Sequence, residues 1–167
     1  MYLEYLKYVL EHKKNVFKCC FKKGKEKWRS GEKDTAIDLF IHAFTHDMSK
    51  FKLSEFIPYA KWFYGKCCSP EDPKIMIPIK LAVGCNQKYK RDFEVAWKLH
   101  YTRNKHHWNY WENQTMPYKY ILQMICDWEA MGMKFGNSAA TFYINNCEKI
   151  KLAAESKLLL EKELGLI

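Results

Sequence analysis

Histidine and aspartate recur at widely separated points of this chain: His12, the pair His46-Asp47, His100, the pair His106-His107, and Asp127. Neutral imidazole and carboxylate are the ligands that borderline and hard divalent cations take. If these side chains converge, they can hold one or two ions drawn from Mn, Fe, Co, Mg or Zn. Such an ion lowers the pKa of a bound water towards about 7 and offsets charge on phosphoryl oxygens, which is the chemistry of phosphate-ester cleavage.

The elements that must position these groups read as helices throughout, with no persistent period-two pattern. Leu3, Leu6, Leu10, Phe17 and Cys20 form one stripe of a first helix, with Gly24 as its stop and Lys25 to Lys33 as a basic loop or frayed end. Asp34 is a suitable N-cap for a second helix with Ile37, Phe40, Ile41 and Phe44 inward, running into His46-Asp47 and ending near Lys50. Ser54 caps a third helix through Tyr64, closed by Gly65, with Pro58 near its first turn. Residues 66–86 hold Pro70, Pro73 and Pro78 and read as a long connection. A fourth helix covers about Gln87 to Arg103, and a turn rich in aromatics and histidine follows, Asn104 to Thr115. Pro117 at a first helical position starts a fifth helix to about Met133, ended by Gly132 and Gly136-Asn137. Its inward face holds Tyr120, Ile121, Met124, Ile125, Asp127 and Trp128. Two shorter helices, near Ser138 to Ile150 and Ala153 to Leu164, complete the expected all-α, single-domain bundle of six or seven helices over residues 1–167.

Each candidate also has a plainer reading. His12 shares a face with Tyr5, Val9 and Val16, at offsets of seven, three and four, so it faces partly inward as a core histidine bonded to a carbonyl would. His46 and Asp47 are neighbours, and helical neighbours point about 100° apart, so they serve one ion only near a helix end. Asp127 lies between Cys126 and Trp128, where an unpaired carboxylate is costly; an ion pair or a cap would satisfy it as well as a metal. His106-His107 can contact phosphate or a base, or stack on Trp108, without holding an ion.

The order His12, then His46-Asp47, then Asp127, on separate helices of a chain of this size, resembles the HD-domain metal-dependent phosphohydrolases. The spacings are similar to those of the small bacterial 5′-deoxynucleotidases of that superfamily. More narrowly, HDMSKF, EFIPYAKWFYG, AWKLHYTRNKHHWNYW and ICDWEAMG resemble an uncharacterised family of small bacterial and phage proteins, over most of residues 1–147. The resemblance implies an HD-type helical fold in which His12, His46, Asp47 and Asp127 ligate a first metal. It implies Asp47 as the bridging ligand where a second ion is bound, with His100, His106 and His107 added for it.

Phosphate handling then falls to nearby groups. Lys50, three residues past Asp47, and Arg103 and Lys105, beside the histidines, can meet phosphoryl oxygens, Arg103 bidentately. Glu55 is a candidate for orienting water or protonating the leaving group. The deoxynucleotidases carry an acid just after the His-Asp pair where this chain has Lys50. Trp108, with Tyr110 and Trp111, offers a face for a nucleobase, a contact of roughly 1–3 kcal/mol, or else packs as core. Tyr59, Trp62, Phe63 and Tyr64 read as core.

The chain has 167 residues and is 48% hydrophobic, enough to bury one sizeable core. Its net charge is +9, and from Lys13 to Lys33 nine basic residues face only Glu26 and Glu32. Such a stretch attracts a nucleotide, a nucleic acid or an anionic surface, or is simply a solvated helix end. Seven cysteines without a C-x-x-C spacing exclude zinc ribbons and thioredoxin-type sites and fit free thiols in a reducing cytoplasm. No secretion signal or membrane-spanning run is present. The leading expectation is a hydrolase of a nucleotide or cyclic nucleotide. A non-catalytic nucleotide-binding protein on the same fold, such as a phage anti-defence sponge, is the alternative. A nucleic-acid-associated protein ranks last, since no recognition-helix or RNA-binding signature is present.

Overall fold

A computed structural model describes residues 1–65 and 87–167; the expected connection over 66–86 lies outside the described residues. Among the described residues the secondary structure is helical with no strand. The seven α-helices are α1 (Tyr2–Arg29), α2 (Lys33–Thr45), α3 (Leu53–Tyr64), α4 (Gln87–Arg103), α5 (Tyr118–Phe135), α6 (Ala139–Asn146) and α7 (Ala154–Glu163). Two 3-10 turns, Met48–Phe51 and Trp108–Trp111, interrupt the connections. The described chain divides into two units, Met1–Glu11 with Asp47–Arg103 and His12–His46 with Asn104–Ile167.

The first unit is built on aromatics. Tyr5, Tyr8 and Val9 of α1, Tyr59 and Ala60 of α3 and Ala96 of α4 are buried together, and Phe56, Phe63, Tyr64, Phe93 and Trp97 pack around them. Trp62 and Phe93 stack nearly parallel between α3 and α4, at 5.3 Å. The expected cap Ser54 is instead the second residue of α3; Lys52 holds the cap position, and no side chain caps it. Pro58 lies inside the helix rather than at its first turn, where its ring removes one backbone donor.

The second unit is organised around α5. Residues Ile121 to Trp128 are all buried, so this helix is covered on every side. One face meets Val16, Cys20, Leu39 and Ala43 of α1 and α2 through Leu122, Cys126 and Ala130. The other meets Ala139, Tyr143, Ile150, Leu152 and Leu160 through Ile121, Met124, Ile125 and Trp128. Truncating one of these large side chains to alanine costs about 2–5 kcal/mol. Pro117 occupies the cap position of α5, which begins at Tyr118, one residue after the expected start. Gly136, with φ 76°, ends the helix in the left-handed conformation that favours glycine. Gly132 lies within α5, and a Cβ there would sit 2.1 Å from the Asn137 carbonyl oxygen.

Four further sequence expectations are corrected on α1 and α2. α1 does not stop at Gly24 but continues to Arg29, so most of the basic stretch is helical. Gly24 is there for packing: a Cβ would lie 2.5 Å from the Phe40 ring. Of the expected stripe, Leu3, Leu10 and Phe17 are exposed and Cys20 is buried; the buried face carries Tyr5, Val9, His12, Val16 and Cys20. On α2 the inward residues are Ala36, Leu39, His42 and Ala43, whereas Ile37, Ile41 and Phe44 face solvent. The face of α2 that meets α5 carries Leu39 and Ala43, and Ile37, Ile41 and Phe44 lie on the outer face. There Phe44 and Phe40 pack against Phe17 and Phe21 of α1. Asp34 does not cap α2, which begins at Lys33.

Candidate metal centre

In the second unit α1 delivers His12, the last turn of α2 delivers His42 and its C-cap His46, α5 delivers Asp127, and the turn after α4 delivers His106 and His107. His12, His42, His46, His106 and Asp127 are each at most 8% exposed. The burial is a direct result of helical register: His12 is on the face of α1 that carries Val9 and Val16, and Asp127 is flanked by the core residues of α5.

Three ligand atoms form a triangle. His12 Nε2 is 3.1 Å from His46 Nε2, His12 Nε2 is 3.0 Å from Asp127 Oδ1, and His46 Nε2 is 3.5 Å from Asp127 Oδ1. Ligand atoms each about 2.1 Å from one ion are about 3.0 Å apart in an octahedral shell and about 3.4 Å apart in a tetrahedral one. The three edges therefore suit a single coordination sphere, with two histidines and a carboxylate as donors. The two Nε2 atoms face each other, so at most one of them carries the hydrogen of that contact. A cation would accept both lone pairs.

Burial alone would raise the Asp127 carboxyl. The hydrogen bond from His12 and the charges of His12, His46 and His106 reverse this and hold it well below the usual carboxylate range, as a ligand requires. His46 Nδ1 lies 3.1 Å from His42 Nε2, so His42 holds the ring plane of His46. The His106 ring packs on His46 and His42, with centroids at 4.6 and 5.0 Å. Ligand atoms of His42, His46 and His106 lie within 4.8 Å of one another, as do those of His106, His107 and Asp127. His42 was not singled out from the sequence, although its spacing of four from His46 puts both on one helical face and was a readable signal. Outside the cluster, the Lys13 ammonium donates to the carbonyls of Phe44 and His46 at the end of α2.

The candidates Asp47, Lys50, Glu55, His100 and Arg103 fall in the first unit. Asp47 is buried and adopts φ 51° and ψ 29°, a left-handed conformation unusual for a residue with a Cβ. Lys50 Nζ lies 2.7 Å from Asp47 Oδ2. Burial would lower the Lys50 ammonium, and the Asp47 carboxylate more than reverses that. His100 links two carboxylates, with Nε2 3.4 Å from Asp47 Oδ1 and Nδ1 2.9 Å from Glu55 Oε2. Glu55 also accepts from Ser49 Oγ at 2.8 Å and Arg103 Nη1 at 2.7 Å. Burial pushes its carboxyl up, and these three hydrogen bonds outweigh that and leave it lowered. Lys105 and Trp108 belong to the second unit. Lys105 Nζ lies over the Tyr110 ring at 5.6 Å, and half-buried Trp108 packs against the core.

These features define an all-helical protein with a buried histidine and aspartate cluster suited to a divalent cation. The chain belongs to the family of unknown function DUF5662, whose model matches residues 1–166. No curated protein and no solved structure matches it. No helix among the described residues is long and apolar enough to cross a membrane.

Proposed function

We propose that the protein is a metal-dependent phosphohydrolase of HD type that acts on a nucleotide or cyclic nucleotide. The observation that carries this reading is the triangle of His12 Nε2, His46 Nε2 and Asp127 Oδ1, with edges of 3.0 to 3.5 Å in a buried setting. These three residues would hold the ion, His42 would orient His46, and His106 and His107 would supply ligands towards a second ion through Asp127. A divalent ion there would supply Lewis acidity and a water acidic enough to be ionised near neutral pH. In the first unit Arg103 holds Glu55, and Glu55 holds the His100 ring.

A second reading, capture of a nucleotide without turnover, draws on one observation. Glu55, the candidate acid, is held ionised by three donors and has no proton to give a leaving group. The deciding experiment incubates metal-loaded protein with a panel of nucleoside monophosphates and cyclic nucleotides in the presence of Mn, Fe, Co, Mg or Zn. Release of phosphate or ring opening, abolished by a chelator and by His46→Ala, supports the hydrolase. Quantitative recovery of intact nucleotide from every incubation refutes it.

A further inference from the structure

The aromatic core of the first unit holds two polar groups that its packing does not explain. Tyr5 is 0% exposed and Tyr59 is 6% exposed. Neither hydroxyl has a hydrogen-bond partner among the described residues. A buried tyrosine ordinarily finds a partner for its O–H, because leaving the group dry forfeits its hydration for nothing. Two such groups in one small core, where phenylalanine would fill the same volume, ask for an external acceptor.

Their surroundings say what that acceptor is. The two rings stack at 6.0 Å, and the Tyr59 ring lies 5.9 Å from that of His100. Both hydroxyls are within electrostatic reach of Lys50, Asp47 and Glu55. Glu55 is taken up by Ser49, His100 and Arg103, and Asp47 by Lys50 and His100. The formal charges of Lys50 and Arg103 equal those of Asp47 and Glu55, so the four groups together carry no net negative charge. An ammonium has three donors, and Asp47 takes one of those on Lys50. Burial holds both phenols above their ordinary range, so they keep their protons at physiological pH.

We infer that Tyr5, Tyr59 and Lys50 form an oxyanion-binding site that takes the oxygens of a phosphate group. The site stands on the first unit alone and does not rest on the metal reading. Its test is run with a chelator present, so that failure of the metal centre leaves it untouched.

The full chain is titrated with inorganic phosphate at constant ionic strength, with chloride as the balancing anion, and followed by calorimetry and thermal unfolding. Saturable binding is expected for the wild type. Tyr5→Phe and Tyr59→Phe should unfold no earlier than wild type without phosphate, since each removes an unpartnered hydroxyl. Together they should weaken phosphate binding about tenfold or more, two hydrogen bonds' worth. Independently of any variant, carbon-labelled tyrosine in the wild type should show two ring signals moving on phosphate addition, absent in turn from the two single variants. Three results overturn the inference: no saturable phosphate binding by the wild type, undiminished binding by the double variant, or tyrosine signals that do not respond. Variants that lose thermal stability but keep their phosphate affinity mark the hydroxyls as holding a structural water only, which also overturns it.

Discussion

Asp127→Asn isolates the anionic corner of the ligand triangle while preserving its volume. Asp127 Oδ1 is 3.0 Å from His12 Nε2 and 3.5 Å from His46 Nε2, so all three atoms could meet one ion, with the carboxylate as the anion of the triangle. Perturbing groups that merely support a ligand weakens metal affinity about 10- to 100-fold, so losing the anionic ligand itself sets a floor of about 100-fold. At a metal concentration 100 times the wild-type Kd, binding stabilises the wild type by about 2.7 kcal/mol. A variant bound 100-fold more weakly gains only about 0.4 kcal/mol under the same conditions. The difference of about 2.3 kcal/mol corresponds to a metal-induced rise in Tm smaller by about 5–9 °C for a chain of this size. The assay is thermal unfolding of chelator-treated protein with and without each metal, each protein read against its own metal-free baseline. An equal metal-induced rise in the variant would refute the coordination argument.

The two remaining predictions concern neighbours of the site and the periphery. His42→Ala removes the partner of His46 Nδ1 without touching a triangle atom, and should weaken metal binding about 10- to 100-fold while leaving stoichiometry unchanged; titration calorimetry reads both. Glu163 accepts from Tyr118, Lys23 and Lys27, and although burial would raise its carboxyl, these bonds bring it down to about 2. A depressed carboxylate contributes stability above its unfolded value of about 4.5 and loses it as pH falls towards the folded one. The ceiling of about 3 kcal/mol, discounted for solvent screening, leaves about 1–2 kcal/mol. Denaturant unfolding should show wild type exceeding Glu163→Gln by that amount at about pH 7, with the gap closing between about pH 4.5 and 2; a constant gap contradicts it.

Much of the helical plan was legible because composition and punctuation agree. α4 runs over the span expected from its pattern, Gly136 ends α5 as its conformation demands, and α5 buries the face read from its spacing. What failed is instructive. α1 carries apolar residues on two faces, so periodicity alone did not say whether Leu3, Leu10 and Phe17 or Tyr5, Val9 and Val16 turn inward. On α2 the bulky Ile37, Ile41 and Phe44 lie on the outer face, so bulk misleads there. For the site, the histidines of α1 and α2 and the aspartate of α5 were readable as ligand types, and the structure brings His12, His46 and Asp127 within 3.5 Å. The support was less readable. His42 was not singled out, and the grip of Arg103 on Glu55 spans 48 positions of sequence that no local pattern connects.

Lys13 gives the histidine pair an anchor outside the cluster. One residue beyond His12, its ammonium ties α1 to the carbonyl end of α2 beside His46. The exposed carbonyl ends of a helix attract a cation, so this tie favours one longitudinal setting of the two rods over its neighbours. Sliding α1 by a single turn, about 5.4 Å, would break that tie and part the two imidazoles together. A covalent change that strips the lysine of its charge would thus reach the cluster by mechanical slack, although none of its atoms had been altered.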